Sequence, residues 1–328
     1  MKLSTLAFAV ALLLSLSTAP VRAVETDCGG RDPSTIVKSA GLYWVYATGR
    51  GVPEFSSPDR LHWTYRGDVF PAAPGWVAET VPANRTNFAW APDVHFFHGK
   101  WHLYYAFSSF GSKISGIGLA TNDTLEPRNW VDQGLVIQSG PGTNFNAIDP
   151  GICLTSSKIP WMCFGSFYGG IKLVKLNPGT GKCLASNPAI TTLAEHPQSH
   201  ANAIEAAEIT FHHGYYFLFV NWDSCCRGAK STYNIRVGRS RTVTGPYLDK
   251  TGLEMTRGGG SPFLDTVKKS ATKTDPDEIG PGHAGVLFDT NGTYFSCHYE
   301  WAKDRQGRTT VNLLKLTWDG DGWPQAAP

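Results

Sequence analysis

The chain has 328 residues, of which 17% are charged and 12% aromatic, and its formal net charge is +2. A charge this close to neutral excludes the broad positive field that nucleic-acid binding needs, so no nucleic-acid partner is expected. The low charged fraction, together with 35 glycines, is typical of an all-β protein with tight turns.

The N-terminal segment has the pattern of a secretion signal. A lysine precedes an apolar run from Leu6 to Leu14, and small residues end the segment at Ala23. The run is shorter than the roughly 20 residues that span a bilayer, and no later segment approaches that length. We therefore predict a signal peptide over residues 1–23 and a secreted, extracellular, monomeric chain over 24–328 that has no membrane partner.

Seven cysteines follow this segment, so at most three disulfides can form. Cys153 and Cys163 can close a short hairpin. The neighbours Cys225 and Cys226 require a strained vicinal disulfide unless each pairs elsewhere or stays reduced, and the connectivity remains open. The cysteine and histidine spacings do not indicate a structural zinc site. Three Asn-X-Thr sequons agree with secretion and predict a glycoprotein: Asn84, Asn122 and Asn291.

Five similar units follow one another along the chain. Each combines a polar or charged opening residue, an apolar run, a glycine-centred turn and a second strand rich in aromatic residues. The units recur about every 60 residues, which is long enough for four strands with their loops. The opening residues are Asp32, Asp93, Asp149, Glu205 and His283. This pattern predicts a single five-bladed β-propeller of the all-β class.

The opening residues are expected to meet at the mouth of a central funnel, because the inner strands of a propeller run beside its axis. When acids lie close together, repulsion between their charges raises the pKa of some of them, so that some carboxyls stay protonated while others ionise. Each acid taken alone also fits a turn cap at a strand entrance. The set of four acids and a histidine favours catalysis.

Aromatic residues lie next to these acids or follow the neighbouring strands. They are Trp90, Phe110, Phe167, Tyr168 and Trp222. Their flat faces can pack against sugars, although ordinary propeller core explains each of them equally well. Paired carboxylates with flanking aromatics are what glycoside hydrolysis requires: one group protonates the leaving oxygen, and the other acts on the sugar carbon or on a water.

Eight stretches carry a resemblance to a known family: "RDPS", "WAPDV", "NAIDP", "IEA", "FVNWDSCCRG", "VGRSRTVTGPY", "PGHAGV" and "WDGDGWP". In order and spacing they resemble the arabinanase branch of glycoside hydrolase family 43, from Asp32 to Pro324. The resemblance implies a five-bladed propeller that cleaves α-1,5-linked L-arabinan with inversion. The implied partner is plant cell-wall arabinan or its oligosaccharides.

The resemblance also implies roles for individual residues. Asp32 is the expected general base, Glu205 the general acid, and Asp149 the carboxylate that orients the acid and adjusts its pKa. The expected substrate-binding residues are Arg31, Trp90, Asp93, Asn146, Phe167 and Trp222. His283 is expected to hold a calcium ion or a water chain in the central channel, and no organic cofactor is expected.

The chain departs from the family pattern in two places. Arg31 replaces the histidine that commonly precedes the first aspartate, which puts a permanent cation beside Asp32. The acid motif continues as "EAAE", which leaves Glu208 as a rival acid. Strict alternation along a strand puts Glu205 and Glu208 on opposite faces, and the register of "IEA" favours Glu205.

Three alternatives remain open. An α-L-arabinofuranosidase or a β-xylosidase of the same family uses the same three carboxylates and differs in the loops at the ends of the cleft. A carbohydrate-binding propeller without catalysis has the same fold. The sequence leaves endo and exo action open.

Overall fold

The computed structural model describes residues 24–266, 278–302 and 308–327. The predicted signal peptide over 1–23 lies outside the described residues. In chain order the strands are β1 (Val24–Glu25), β2 (Val37–Ser39), β3 (Leu42–Tyr46), β4 (Gly49–Arg50), β5 (Pro53–Ser57), β6 (Thr64–Asp68), β7 (Phe88–Phe97), β8 (Lys100–Phe107), β9 (Ser115–Asn122), β10 (Val131–Ser139), β11 (Gly151–Leu154), β12 (Pro160–Phe164), β13 (Ile171–Lys175), β14 (Ile190–Ala194), β15 (Ile204–His212), β16 (Tyr215–Trp222), β17 (Asn234–Ser240), β18 (Ser261–Leu264), β19 (Glu278–Asp289), β20 (Gly292–Ala302), β21 (Val311–Trp318) and β22 (Pro324–Ala327).

Among the described residues, helical structure is confined to short segments between strands. They are α1 (Val77–Thr80) and two 3-10 turns, Gly228–Lys230 and Met255–Arg257. Within the described ranges, no helix is long and apolar enough to cross a membrane.

The strands form five antiparallel sheets, which confirms the predicted five-bladed propeller. Blade 1 is β2-β3-β5-β6, blade 2 is β7 to β10 with β4 beside β7, blade 3 is β11 to β14, and blade 4 is β15 to β18. Blade 5 consists of β19, β20 and β21, and both β22 and the N-terminal β1 pair with β21. Residues from both ends of the chain therefore complete the last blade and close the ring.

The second strand of each blade explains why the units pack as a ring. In β3, Trp44 and Tyr46 join the apolar cluster that includes Leu103 of blade 2. Tyr43 and Val45, which point to the other face, join the cluster between blades 5 and 1. Successive strand residues face opposite sides, so a blade between two others must be apolar on both faces. Each fully buried large side chain contributes about 1.5–3 kcal/mol of hydrophobic stabilisation.

The inner end of every blade carries a residue with left-handed backbone geometry: Asp32, Ala91, Asp149, Ala206 and His283. Four of these residues donate their N–H sideways to a side chain of the preceding blade. The donor and acceptor pairs are Asp32 N to His298 Nδ1 (3.3 Å), Ala91 N to Thr48 Oγ1 (2.8 Å), Ala206 N to Asp149 Oδ2 (3.2 Å) and His283 N to Asn221 Oδ1 (2.9 Å). These bonds tie neighbouring blades together at the mouth of the funnel and satisfy backbone donors that the strand ladders leave free.

A β-bulge accompanies the left-handed residue in β15, and it changes which residues share a face. Glu205 lies opposite Asn221, and Glu208 lies opposite Phe219 on the neighbouring strand. These partners are two residues apart, so the bulge puts both glutamates on the same face. The prediction that Glu205 and Glu208 face opposite sides is therefore wrong, because it assumed a strand without an extra residue.

The cysteines make one disulfide among the described residues, the vicinal pair Cys225–Cys226. The hairpin pairing considered for Cys153 and Cys163 does not form, because Cys153 lies opposite Trp161 in the strand register. The Cys163 thiol instead points at backbone carbonyls of neighbouring strands.

Candidate active site

A cavity of about 970 Å³ opens at the axis of the propeller. Four of the five opening residues line it: Asp32, Asp149, Glu205 and His283. Four of the predicted substrate-binding residues line it too: Arg31, Trp90, Asn146 and Phe167. The structure thus brings most of the predicted site residues together. The other two predicted substrate-binding residues, Asp93 and Trp222, are not among the lining residues.

Asp93 lies deeper in the propeller and holds blades together. Its Oδ1 accepts a hydrogen bond from Thr35 N (3.1 Å), and its Oδ2 accepts one from Ile152 N (2.8 Å) and lies 3.2 Å from His95 Nε2. Burial raises the pKa of the Asp93 carboxyl, but His95 and the backbone donors outweigh it, so the pKa is lowered. Asp93 is therefore an ionised link between blades 1, 2 and 3.

Trp222 does not line the cavity, and its ring contacts other side chains. Its indole ring stacks on His196, with ring centroids 3.8 Å apart, and the Arg236 guanidinium lies 5.0 Å from the ring. The ring predicted as a sugar platform is thus engaged by two other side chains.

The Asp32 carboxylate is held by a hydrogen bond from the protein and is also accessible to solvent. Its Oδ2 accepts a hydrogen bond from Thr48 Oγ1 (2.7 Å), while its Oδ1 lies 3.9 Å from Arg31 Nε and 3.8 Å from His298 Nδ1. The side chain is 22% exposed, so water can reach it. A positioned and accessible carboxylate is suited to accept a proton from water.

Glu205 is buried and lines the same cavity as Asp32. Ser166 Oγ donates a hydrogen bond to Glu205 Oε2 (2.7 Å), and the Tyr233 hydroxyl also bonds to this carboxyl. Burial raises the pKa of Glu205 and the charges of Asp32 and Glu300 raise it further, against the opposing hydrogen bonds from Ser166 and Tyr233. The raised pKa favours a protonated carboxyl, which is the form a general acid needs.

Asp149 completes a buried acid pair with Glu205. Its Oδ2 accepts the hydrogen bond from Ala206 N, which is adjacent to Glu205 in β15. Burial raises the pKa of Asp149 well above its usual range, and the charges of Glu205 and Asp32 raise it further. Because each carboxylate disfavours ionisation of the other, the pair is biased toward retaining a proton.

The rival acid Glu208 lies below the funnel. It is buried but does not line the cavity, and its Oε2 is 3.2 Å from where a Cβ on Gly151 would stand. Burial and the charge of Asp93 raise its pKa well above the usual range. A glycine at position 151 therefore leaves room for this carboxyl in the interior.

His283 lines the cavity but does not belong to a calcium site made of protein ligands. Burial lowers the pKa of its imidazole to about 4, so the ring is neutral at working pH. Among the described residues, the one group of three His, Cys, Asp or Glu side chains close enough to share an ion is Cys225, Cys226 and Glu300, and its sulfurs form the disulfide. Calcium prefers several oxygen ligands and His283 supplies one nitrogen, so a calcium ion at His283 would take most of its ligands from water, and this ion stays a prediction.

Several residues of the site were not among the predicted ones: Thr48, Ser166, Tyr233, His298 and Glu300. Thr48 and Ser166 each lie two residues after an aromatic second strand. A polar residue at that position of the repeat could therefore have predicted both of them. The other three reach the funnel only because blades 4 and 5 close the ring, and the sequence carries no local signal for them.

A buried acid pair in the same cavity as an accessible carboxylate, in a funnel lined by aromatic residues, is typical of a propeller-type glycoside hydrolase. The family model described as "Glycosyl hydrolases family 43" matches residues 26–324. The chain belongs to glycosyl hydrolases family 43, which acts with inversion, and the family resemblance read from the motifs is confirmed.

The relatives lie in the arabinanase branch. The chain is 37% identical to "Extracellular endo-alpha-(1->5)-L-arabinanase 1" of Bacillus subtilis, over 98% of this chain and 95% of that protein. It is 36% identical to "Extracellular exo-alpha-(1->5)-L-arabinofuranosidase ArbA" of Cellvibrio japonicus, over 94% and 91%. A solved Cellvibrio cellulosa α-L-arabinanase complexed with arabinohexaose superposes with a TM-score of 0.82 at 35% identity, covering 93% of this chain and 96% of that one.

Proposed function

We propose that this protein hydrolyses α-1,5-linked L-arabinan with inversion, with Asp32 as general base and Glu205 as general acid. The observation that carries the proposal is one cavity that an accessible carboxylate shares with two buried carboxyls whose pKa values are raised. The names of the two relatives, which describe cleavage of α-(1→5)-linked arabinose chains, support the substrate. The arabinohexaose complex of a related structure supports an arabino-oligosaccharide ligand.

In this mechanism Asp32 takes a proton from a water molecule as the water oxygen attacks the anomeric carbon. The bond between that carbon and the leaving oxygen breaks, and Glu205 gives its proton to the leaving oxygen. Base and acid must lie roughly 6.5–9.5 Å apart to leave room for the water. Exchange of protons with solvent returns Asp32 to its ionised form and Glu205 to its protonated form.

The cavity walls supply contacts for the sugar. Trp90 and Phe110 form an aromatic pair with ring centroids 5.1 Å apart, and Phe110 is 82% exposed. Their faces can pack against sugar C–H surfaces. Asn146 Oδ1 accepts a hydrogen bond from Ser115 Oγ (2.6 Å), which orients its amide group toward substrate hydroxyls. Arg31 and Phe167 complete the proposed substrate-binding set.

The protein is proposed to act outside the cell as a secreted glycoprotein. The pattern of residues 1–23 supports secretion, as does the word "Extracellular" in the names of both relatives. A polysaccharide substrate agrees with this location, because a polymer of the plant cell wall does not enter the cell intact.

Hydrolysis of linear α-1,5-arabinan followed by NMR tests the proposed function. We expect the β-anomer of the newly formed reducing end to appear first, because inversion of an α-linkage gives a β-product. An initial α-anomer would contradict inversion. Binding without turnover would instead support the non-catalytic propeller, and preference for xylo-oligosaccharides would support a xylosidase. The lengths of the early products distinguish endo from exo action.

Asp149→Asn tests the coupling of the acid pair. Asparagine keeps an oxygen that can accept the Ala206 N–H but cannot become charged. Without the second carboxylate, Glu205 loses its proton more easily, so the alkaline limb of the kcat profile is expected to move to lower pH. The measurement is kcat against pH for wild type and variant. An alkaline limb that stays in place would contradict the coupling.

A further inference from the structure

Glu300 is a buried carboxylate of blade 5 that joins three separate parts of the funnel wall. Its side chain is 1% exposed. Its Oε1 pairs with Arg31 Nη2 and lies 3.3 Å from His298 Nε2, and its Oε2 accepts a hydrogen bond from Cys226 N (3.0 Å). One side chain therefore fixes the start of blade 1, a strand of blade 5 and the loop with the vicinal disulfide.

Two of these contacts lead directly to Asp32. His298 Nδ1 accepts the Asp32 N–H, so the ring proton lies on Nε2 and is donated to Glu300. Arg31, the other partner, lies 3.9 Å from the Asp32 carboxylate. Glu300 thus sets the tautomer of the histidine that holds the Asp32 backbone and the position of the cation beside the Asp32 side chain.

Glu300 stays ionised through the working range. Burial raises the pKa of its carboxyl, but the hydrogen bond from His298 and the charge and hydrogen bond of Arg31 oppose this effect, and the pKa is lowered to about 2. The Arg31 cation is therefore balanced by a fixed negative charge. Without that charge, Arg31 would interact with Asp32 as its nearest remaining anion and weaken it as a proton acceptor.

We propose that Glu300 is a positioning residue for Asp32, which holds Arg31 and His298 in place and neutralises Arg31 so that Asp32 can accept the proton of water. The proposal rests on the proposed role of Asp32 as general base. It also explains how the chain accommodates an arginine immediately before that aspartate.

The charged and titratable groups that face Asp32 come from several blades: Arg31, Asp149, Glu205, Tyr233, His283 and His298. The test changes only the Glu300 and Arg31 charges and leaves the other groups in place. A shift of the pH profile can therefore be assigned to the pair.

Glu300→Gln is the test, read from the acid limb of kcat/KM on arabinan. The glutamine keeps the shape but loses the charge, so the unbalanced Arg31 stabilises ionised Asp32. We expect the acid limb to move to lower pH by roughly 1 unit, with kcat reduced more than KM is changed. Arg31→Gln is expected to move the limb in the opposite direction, and the double variant to return it toward the wild-type position.

Asp289→Asn is the matched control. Asp289 also joins blade 5 to blade 1, it is 2% exposed, and it contacts Tyr43 (2.6 Å), Arg60 (3.1 Å) and Lys38 (3.5 Å). Its loss should lower the melting temperature without moving the acid limb. Glu300→Asp keeps the charge and should leave the limb near its wild-type position even if kcat falls.

An unmoved acid limb in Glu300→Gln, or an equal shift in Asp289→Asn, would overturn the proposal. If Glu300→Gln does not fold, Arg31→Gln serves as the test. An acid limb that does not move to higher pH in that variant would also overturn the proposal. Wild-type turnover in an Asp32→Asn chain would instead refute the base assignment, which separates failure of the proposed function from failure of this inference.

Discussion

A chain carrying Asp32→Asn is expected to turn over linear arabinan about 10²–10⁴-fold more slowly than the wild type. Asparagine cannot take a proton from water, although its side-chain oxygen can still accept the hydrogen bond from Thr48. The nearby carboxyls Asp149 and Glu205 cannot replace it, because both are buried and their raised pKa values favour the protonated forms. Initial rates of reducing-sugar release measure the effect.

Binding and stability measurements show whether the loss is catalytic. Calorimetric binding of an arabino-oligosaccharide and the melting temperature should stay close to the wild-type values, because the substitution preserves shape and leaves the blade contacts intact. A variant that keeps more than about a tenth of wild-type turnover would contradict the assignment of Asp32, since positioned base catalysis is worth at least 10²-fold.

Glu205→Gln is expected to cause a loss of about 10²–10⁴-fold on arabinan and a much smaller loss on an arabinofuranoside with an activated aryl leaving group. A sugar alkoxide leaves only when it is protonated, whereas a nitrophenolate leaves without help. The ratio of kcat/KM on the two substrates, compared between variant and wild type, separates a general acid from a carboxylate that only supports the structure.

Glu208→Gln is the matched control for Glu205. The two glutamates share a strand, a face and a buried environment, but Glu208 does not line the cavity. Glu208→Gln should therefore keep most of the turnover on both substrates. The assignment of the acid is wrong if Glu208→Gln lowers turnover more than Glu205→Gln does. It is also wrong if Glu205→Gln lowers kcat/KM by the same factor on both substrates.

The repeat pattern of the sequence was sufficient to predict the architecture of this protein. The recurring aromatic second strands, such as β3 and β16, are local patterns of apolar residues on both faces, and such strands must be covered on both sides. Five of them in one chain predict five packed blades. The same repeat predicted that Asp32, Asp149, Glu205 and His283 would meet, because equivalent residues of the inner strands share the propeller axis.

Which residues occupy the mouth of the funnel, and whether their carboxyls tend to be protonated, depends on contacts between blades. The bulges shift the register by one residue, which puts Trp90 at the cavity and Asp93 below it and which places Glu205 above Glu208 on one face. Backbone geometry of this kind depends on hydrogen bonds between blades, such as that of Ala206 N to Asp149, and these partners are distant in sequence.

The raised pKa values of Asp149 and Glu205 and the lowered pKa of Glu300 likewise come from burial and from charges on other blades. Strand periodicity carries no information about such contacts, since it describes neighbours along one strand and not the side chains that ring closure brings beside it.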